Sequence, residues 1–249
     1  MRIIALYNIK GGVGKTTSAV NLAYLSAVRG RRTLLWDLDA QGAATYILRV
    51  RPRVKGGGEA LVQARRPLQA AVKGTDFDNL DLLPADFTYR HLDLLLDQRK
   101  KPTRRLAALL RPLRTEYDDV FLDCPPSMSL LSENVLRAAD TVLVPLIPTP
   151  LSLRTMDQLR EFTQSQPSPR PTIRGFFSMV DRRKTLHRTT VDTVPADHDD
   201  LATTTIPALS VVEQMTVRRE PVPHFAPGSP VTVRYGQLWD ETIGPAGTP

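Results

Sequence analysis

A glycine-rich segment near the N-terminus constrains the fold of this chain more than any other feature. It follows an apolar run at residues 3–7 and reads Ile9-Lys10-Gly11-Gly12-Val13-Gly14-Lys15-Thr16-Thr17. Its end fits the pattern G-x-x-x-x-G-K-[ST], in which a loop between a strand and a helix surrounds phosphate oxygens with backbone N–H groups. Ile9 stands where that pattern has its first glycine, and Lys10 precedes a glycine pair instead. The segment therefore predicts a strand, a phosphate-binding loop and a helix in succession.

The residue types of the loop explain phosphate binding in physical terms. Gly11, Gly12 and Gly14 permit positive φ angles and let successive N–H groups turn towards phosphate oxygens. A helix predicted to begin near Lys15 adds the positive end of its dipole. We expect Lys15 to reach the β- and γ-phosphates and the Thr16 hydroxyl to bind Mg²⁺. The alternative, a glycine-rich turn with a solvated lysine, does not explain this order of glycines, lysines and threonines.

Strand and helix patterns alternate along the rest of the chain. Apolar residues recur at helical spacing over residues 16–29, and apolar runs within 33–36, 79–85, 117–123, 141–145 and 173–180 predict further strands. Continuous apolar strands are typical of parallel sheets that are covered on both faces. We therefore predict an α/β fold, a doubly wound and mostly parallel sheet with helices on both faces. The length fits a single domain over residues 1–249, with a polar tail at about 244–249.

Two carboxylates follow predicted strands at positions suited to chemistry. Asp39 lies in the segment Asp37-Leu38-Asp39-Ala40-Gln41-Gly42, and Asp123 precedes Cys124-Pro125-Pro126-Ser127. The carboxyl ends of parallel strands border the ligand crevice of a doubly wound sheet. An apolar strand that ends in Asp is also the Walker B pattern, whose carboxylate holds the Mg²⁺ shell. We interpret Asp37 as a strand-end residue that accepts hydrogen bonds from backbone N–H groups, and the lone Cys124 as a packing residue.

The three motifs K-G-G-x-G-K-T, D-x-D-x-Q-G and D-x-P-P-S together resemble the deviant Walker A ATPases of the ParA/MinD family. The chain is most similar to the ParA (Soj-like) partition ATPases that have no N-terminal helix-turn-helix extension, and the resemblance extends from residue 3 to about residue 243. It implies that ATP or ADP binds with Mg²⁺, that Thr16 and Asp123 hold the metal, and that Lys10, Lys15 and Asp39 are catalytic. Asp39 would position the attacking water. The implied nucleotide-binding residues are Lys10, Gly11, Gly12, Val13, Gly14, Lys15, Thr16, Thr17 and Pro207, the last at a strand end near the adenine.

The same resemblance implies a dimer and a partner. In this family Lys10 is the signature lysine, which crosses a two-fold interface and contacts the nucleotide of the other subunit. We therefore expect a homodimer when ATP is bound and slow hydrolysis that a ParB-like or cargo-adaptor protein stimulates. The implied function is to partition or position a plasmid, a chromosome or another intracellular cargo by cycling on and off nucleoid DNA.

The charge of the chain is compatible with a polyanionic partner. The formal net charge is +7, and arginine contributes most of the positive charge. DNA is the first candidate and an anionic membrane surface the second, although arginine-rich composition also follows from a GC-rich genome. The predicted DNA contacts are Arg218 and Arg219, and then Arg182 and Arg183. Basic residues within 49–66 predict a mobile loop leading into a short helix, which is either a further DNA contact or a solvated surface.

Two other classes of function remain open. A MinD-like membrane-cycling ATPase needs a C-terminal amphipathic helix with basic and apolar faces, whereas residues 239–247 are acidic and interrupted by glycine and proline. A metabolic ATP-dependent enzyme on the same scaffold needs a substrate pocket, which no sequence motif reveals. Without a signal peptide pattern, an apolar run of ~18–20 residues or a second cysteine, we expect a cytoplasmic protein that does not bind membranes. The resemblance to ParA proteins implies that it associates with the nucleoid.

Overall fold

The computed structural model describes residues 1–166 and 169–244, and a seven-stranded sheet forms its centre. The strands are β1 (Arg2–Leu6), β2 (Thr33–Asp37), β3 (Lys73–Gly74), β4 (Leu80–Leu83), β5 (Asp119–Asp123), β6 (Thr141–Leu146) and β7 (Thr172–Phe177). Their order across the sheet is β3-β4-β2-β5-β1-β6-β7. Neighbouring strands run parallel except β3, which pairs antiparallel with β4 at one edge. The predicted doubly wound, mostly parallel sheet is confirmed.

Helices follow most of the strands and cover both faces of the sheet. The α-helices are α1 (Lys15–Val28), α2 (Ala43–Ile47), α3 (Gly57–Val62), α4 (Leu92–Asp97), α5 (Arg105–Leu110), α6 (Leu130–Ala138), α7 (Pro150–Ser165), α8 (Thr185–Thr193), α9 (Ser210–Arg218), α10 (Val222–Phe225) and α11 (Pro230–Thr242). Short 3₁₀ turns lie at Leu68–Ala71, Phe87–His91, Pro102–Arg104, Arg111–Thr115 and Val194–Asp197. In the part of the chain that the structure describes, no helix is both long enough and apolar enough to cross a bilayer.

Alternate residues of each central strand contribute to different cores. In β2, Leu34 and Trp36 face a core that includes residues of α3 to α8, whereas Leu35 faces a core shared with α1, α2, α9, α10 and α11. This division follows from the two-residue period of a strand. Each fully buried leucine contributes roughly 1.5–3 kcal/mol relative to an exposed one. The two cores thus hold the carboxyl ends of β1, β2 and β5 rigidly side by side.

The sequence Thr204-Thr205-Ile206-Pro207 predicts a strand end at Pro207, and the structure differs from this prediction. This segment is not a regular strand: Pro207 forms only an isolated parallel bridge with Val180, beyond the end of β7. Hydrogen bonds from the Ile206 N–H to the Phe177 carbonyl (2.8 Å) and from the Val180 N–H to the Ile206 carbonyl (3.0 Å) attach the segment to the sheet. A proline cannot donate a ladder hydrogen bond, which limits regular pairing here.

Two predicted surface segments are only partly within the residues that the structure describes. The proline-rich sequence at residues 166–171 predicts a surface connection, and its residues 167–168 lie outside the described residues, as do residues 245–249 of the predicted polar tail.

Candidate active site

The loop between β1 and α1 has the backbone geometry of a phosphate cradle. Gly12 and Gly14 have φ angles of 70° and 91°, in the left-handed region that favours glycine. A Cβ at Gly14 would lie 2.9 Å from the Ser178 hydroxyl oxygen, so a side chain here would also require Ser178 or the loop to shift. Of the three glycines that permit a positive φ, Gly12 and Gly14 adopt one and Gly11 does not.

Lys15 begins α1 and bends back over the loop. Its residue surface is only 7 % exposed, and its Nζ donates a hydrogen bond to the Lys10 carbonyl oxygen at 2.8 Å. Burial lowers the pKa of Lys15, and the nearby Asp123, Cys124 and Asp39 act in the opposite direction. The ammonium therefore lies between the loop and the carboxyl ends of the central strands.

Asn8 fixes the start of the loop, a role that the sequence motifs did not reveal. It is 1 % exposed, its Nδ2 donates to the Pro145 carbonyl oxygen at 2.8 Å, and its Oδ1 accepts from the Lys10 N–H at 2.9 Å. Asn8 thereby ties the loop to β6. Its sequence signal was a polar residue directly after a buried strand. Among the described residues, the Lys10 side chain has no hydrogen-bond or ion-pair partner, although its backbone is held on both sides.

Asp123 ends β5 next to the loop with its carboxylate buried and unsatisfied. Both carboxylate oxygens are inaccessible to solvent and find no hydrogen-bond partner in the described residues. Burial raises the pKa of Asp123 well above its usual range, as does the neighbouring charge of Asp37, while the Thr16 hydroxyl and the Lys15 ammonium counteract this. A buried carboxylate without partners is costly, so the position is suited to a cationic ligand.

The chemistry of these donors fits Mg²⁺. Carboxylate and hydroxyl oxygens are hard ligands, and Mg²⁺ commonly binds through one or two carboxylates, waters and substrate phosphates. No group of three or more His, Cys, Asp or Glu residues within residues 1–166 and 169–244 is arranged to hold a metal ion. A Mg²⁺ ion beside Asp123 and Thr16 would therefore depend on phosphate and water for its remaining ligands.

Asp37 and Asp39 lie on the adjacent strand end. Asp37 is opposite Asp123 in the β2–β5 register and accepts hydrogen bonds from the Thr45 N–H (2.8 Å) and Thr45 Oγ1 (2.7 Å). Burial raises the pKa of Asp37 to about 6, although these hydrogen bonds oppose the shift. Asp39 is half-buried, and its Oδ1 accepts from the Gln41 N–H at 2.9 Å. The interpretation of Asp37 as an acceptor of backbone N–H groups is confirmed, and Asp39 is the more accessible of the two carboxylates.

Cys124 is buried directly after Asp123. Burial raises the pKa of its thiol well above the usual value. A thiol that stays protonated is a poor nucleophile, which agrees with the interpretation of Cys124 as a packing residue.

The four arginines predicted to contact DNA all have partners within the chain. Arg219 donates to the Tyr46 carbonyl oxygen at 2.9 Å and lies over the Tyr46 ring, and Arg218 lies over the Phe225 ring. The other two form exposed ion pairs, Arg182 with Asp192 and Arg183 with Asp181. The structure therefore places these arginines on the surface in two separate segments, without bringing them together with the loop.

Comparisons with known proteins agree on one family. A family model described as an AAA domain matches residues 1–168. The chain is 34% identical over 207 residues to the chromosome partitioning protein ParA of Caulobacter vibrioides, an alignment that covers 80% of this chain and 78% of that protein. It is 43% identical over 162 residues to the chromosome partitioning protein ParA of Myxococcus xanthus, which covers 64% of this chain and 56% of that protein.

Solved structures show the same fold. The ATP complex of a single-residue variant of McdA from Cyanothece superposes with a TM-score of 0.87 at 18% identity and covers 100% of this chain and 98% of that one. Cobyrinic acid a,c-diamide synthase from Mycobacterium smegmatis with bound ADP and magnesium has a TM-score of 0.77 at 29% identity, with 100% of both chains covered. Taken with the loop, the paired strand-end aspartates and the sheet order, these similarities show that the chain belongs to the ParA/MinD family of P-loop partition and positioning ATPases.

Proposed function

We propose that this protein is a Mg²⁺-dependent ATPase that dimerises around ATP, binds DNA without sequence preference and positions an intracellular cargo. The observation that carries the proposal is the buried, unpartnered carboxylate of Asp123 beside Lys15 and Thr16. A nucleotide with its metal ion satisfies all three groups at once. The relatives named chromosome partitioning protein support the cellular role.

Each residue around the loop has a role in this proposal. The N–H groups of residues 10–17, including Val13 and Thr17, surround the phosphates, and Lys15 exchanges the Lys10 carbonyl for a phosphate oxygen. Thr16 and Asp123 hold Mg²⁺, which supplies positive charge to the phosphates when it is bound. Asp39 orients the attacking water, since its Oδ1 is engaged by Gln41 and its Oδ2 is left to accept a hydrogen bond from water. Pro207 lies beside the adenine.

The Lys10 side chain is the reason that we propose a dimer. The backbone of Lys10 is fixed, while its side chain has no partner in the described part of the chain. A second cation on a γ-phosphate stabilises charge in the transition state, as an arginine finger does. We therefore assign Lys10 to the nucleotide of a second subunit. ATP then stabilises the homodimer, and hydrolysis releases it.

DNA and a partner protein complete the proposed cycle. Binding would depend on neutralising phosphates with arginine and lysine, so it would be independent of sequence and sensitive to salt. Arg218, Arg219, Arg182 and Arg183 remain the proposed contacts. A ParB-like or cargo-adaptor protein would stimulate hydrolysis, and the protein would act in the cytoplasm on the nucleoid.

A direct test measures the molecular mass of the full chain by light scattering with ADP and with a slowly hydrolysed ATP analogue, each with Mg²⁺. We expect a monomer with ADP and a dimer with the analogue, and only the dimer should retard a short random-sequence duplex in a gel. Lys10→Ala should remain monomeric with either nucleotide, whereas the control Lys100→Ala should dimerise. A Lys10→Ala variant that dimerises normally would exclude the assignment of Lys10.

Amide synthesis is a second candidate, because the similarity to cobyrinic acid a,c-diamide synthase covers both chains fully at 29% identity. The two functions differ in which molecules must be present for ADP to form from ATP. An ATPase that acts on DNA should release ADP without any carboxylic acid acceptor. If ADP forms only when cobyrinic acid and an ammonia donor are present, the second candidate replaces the first.

A further inference from the structure

A second concave site lies at the opposite end of the sheet from β7, beside the edge strand β3. It has a volume of about 710 Å³ and is formed by the segment between α2 and β3. We call it the basic pocket and define it by five cationic residues of its wall: Arg51, Arg53, Lys55, Arg66 and Lys73. Its volume is within the roughly 300–1,000 Å³ that is usual for small-molecule sites.

The five cations of the basic pocket have no directly contacting carboxylate in the described residues, although Arg53 is near enough to Asp86 to help lower the pKa of that carboxyl. All five are exposed, and none forms an ion pair in the part of the chain that the structure describes. Among the described residues, no Asp or Glu lines the basic pocket. A sixth wall residue, Arg49, contrasts with them because it binds Glu220 at 2.6 Å. Concentrated, unpaired positive charge in a concave surface attracts anions.

The floor of the basic pocket is apolar. Val54, Leu61 and Leu68 line it and are between 5 and 7 % exposed, as part of the core on that face of the sheet. The small residues Ala60 and Ala71 leave the space above this floor open. A ligand that fills the space would therefore place an apolar body on the floor and anionic groups at the rim.

The basic pocket is held in shape by hydrogen bonds. Asp86, which lies beside it, accepts from the Val54 N–H at 2.9 Å, and Thr88 Oγ1 accepts from the Gly58 N–H at 2.7 Å. Arg49 has a φ of 58°, an uncommon angle for a residue with a side chain, and its ion pair with Glu220 holds it there. The mobile loop predicted at residues 49–66 is thus anchored at several points, and a site whose shape exists before binding costs less to occupy.

The basic pocket is separate from the active site. None of the loop residues 8–17 lines it, nor do Asp39 and Asp123. In the sheet order, β3 is four strands away from β1, which is roughly 19 Å at about 4.8 Å per strand. A ligand in the basic pocket could therefore be bound while a nucleotide occupies the loop.

We propose that the basic pocket binds a small molecule that carries several phosphate groups or similar anionic groups on a compact apolar body, at a site independent of the nucleotide loop. A DNA duplex fits these features less well, because its phosphates lie on a convex rod that would leave the apolar floor uncovered. Variants of the floor and of the rim should affect the binding of a small molecule and of DNA differently.

The probe for this proposal is the fluorescent trianion 8-hydroxypyrene-1,3,6-trisulfonate, which has a flat apolar body and three anionic groups. Its anisotropy is measured with the full chain in saturating ADP and Mg²⁺. We expect one probe bound per chain, displaced by inorganic tripolyphosphate and not by further ADP. Arg66→Ala with Lys73→Ala should weaken binding by about ten-fold or more, because two charge-assisted contacts are lost. The control Arg111→Ala with Arg114→Ala removes the same charge from an exposed turn and should change the affinity less than about two-fold.

A second variant distinguishes binding of the probe inside the basic pocket from its general electrostatic attraction to the cations. Ala70 is exposed and lines the basic pocket, so Ala70→Trp fills the space and leaves every cation in place. Loss of probe binding in Ala70→Trp, with an unchanged circular dichroism spectrum, supports the proposal. Equal effects of the two double variants would overturn it, as would a failure of the probe to bind. A rim variant that loses DNA retardation but keeps the probe assigns the cations to DNA and also overturns it.

Discussion

Asp119, at the start of β5, shows how a buried charge is kept ionised in this protein. It is fully buried, and burial alone would raise its pKa, but hydrogen bonds from Arg2, Arg31 and Ser26 lower the pKa overall. A group with a lowered folded-state pKa stabilises the fold above its unfolded-state pKa of about 3.9 and loses that contribution as the pH falls. Asp119 is therefore a stabilising residue at neutral pH.

We predict that Asp119→Asn lowers the free energy of unfolding by about 2–3 kcal/mol at pH 7, because it leaves the two guanidinium groups without their counter-charge. The difference from the unsubstituted protein should shrink as the pH falls from about 4, where the unfolded chain begins to bind a proton at Asp119, through the lower pKa of the folded state. Urea denaturation at pH 7 and pH 3 measures both effects. The adjacent Asp118→Asn is the matched control: its ion pair with Arg32 is exposed, so the change should be much smaller. Equal losses for the two variants would contradict the role assigned to Asp119.

Substitutions of Lys15 and Asp39 should affect different properties: nucleotide binding for Lys15 and the rate of hydrolysis for Asp39. Lys15→Ala removes the buried ammonium that faces the phosphates, so we expect no measurable binding of a fluorescent ATP analogue. Asp39→Ala leaves the loop, Thr16 and Asp123 unchanged, so it should still dimerise with ATP while the turnover falls by about 10²-fold or more. Calorimetry, light scattering and phosphate release measure the three properties. Wild-type turnover in Asp39→Ala would exclude the water-positioning role.

At the scale of elements, the sequence predicted the parts of the site that depend on local pattern. The β1–loop–α1 unit, the strand ending at Asp123 and the segment after β2 follow from apolar runs and glycine placement. Local pattern marks Asn8 only as a polar residue after a buried strand and could not reveal its role, because its contact with Pro145 joins residues 137 positions apart. It also could not reveal the basic pocket, whose wall depends on how residues 49–74 fold back onto β4. The irregular pairing of residues 204–207 likewise depends on a tertiary contact, the bridge to Val180.

Gly12 and Gly14 of the loop should differ in how well they tolerate substitution by alanine. Gly12→Ala and Gly14→Ala both force a side chain into the left-handed region, but only Gly14→Ala also meets Ser178. We expect Gly12→Ala to cost about 1 kcal/mol of stability and Gly14→Ala to cost more, with loss of nucleotide binding because the loop must shift. Thermal denaturation and nucleotide titration measure these effects. Gly228→Ala, where a Cβ has open space and no positive φ, should change neither. Equal stability of the two loop variants would show that the contact with Ser178 relaxes without cost.

At the scale of the whole molecule, the continuous sheet favours one cooperative unit. Since β1, next to the central strand, pairs with β5 from the first half of the sequence and with β6 from the second half, we predict that residues 1–249 unfold as a single domain. Far-UV circular dichroism and the fluorescence of Trp36 and Trp239, which lie in different cores, should give coincident urea transitions. Two separated transitions would mean that the chain contains two folding units.

Positive charge on the assembled molecule should control how it binds DNA. If the ATP-bound dimer binds DNA through phosphate neutralisation, the logarithm of the affinity should fall linearly with the logarithm of the salt concentration, by about 0.9 for each phosphate contact. Arg218→Ala should weaken binding equally on unrelated sequences and reduce the magnitude of that slope by about one in each subunit that contacts DNA. Arg218 is suited to this test because its guanidinium stacks on Phe225 and has no acidic partner in the described residues, so the substitution releases no buried charge. Arg114→Ala, on the exposed turn that follows α5, is the control and should leave the slope unchanged. A slope that Arg218→Ala does not alter would remove Arg218 from the DNA contact and direct the search to Arg219 and to the arginines that follow β7.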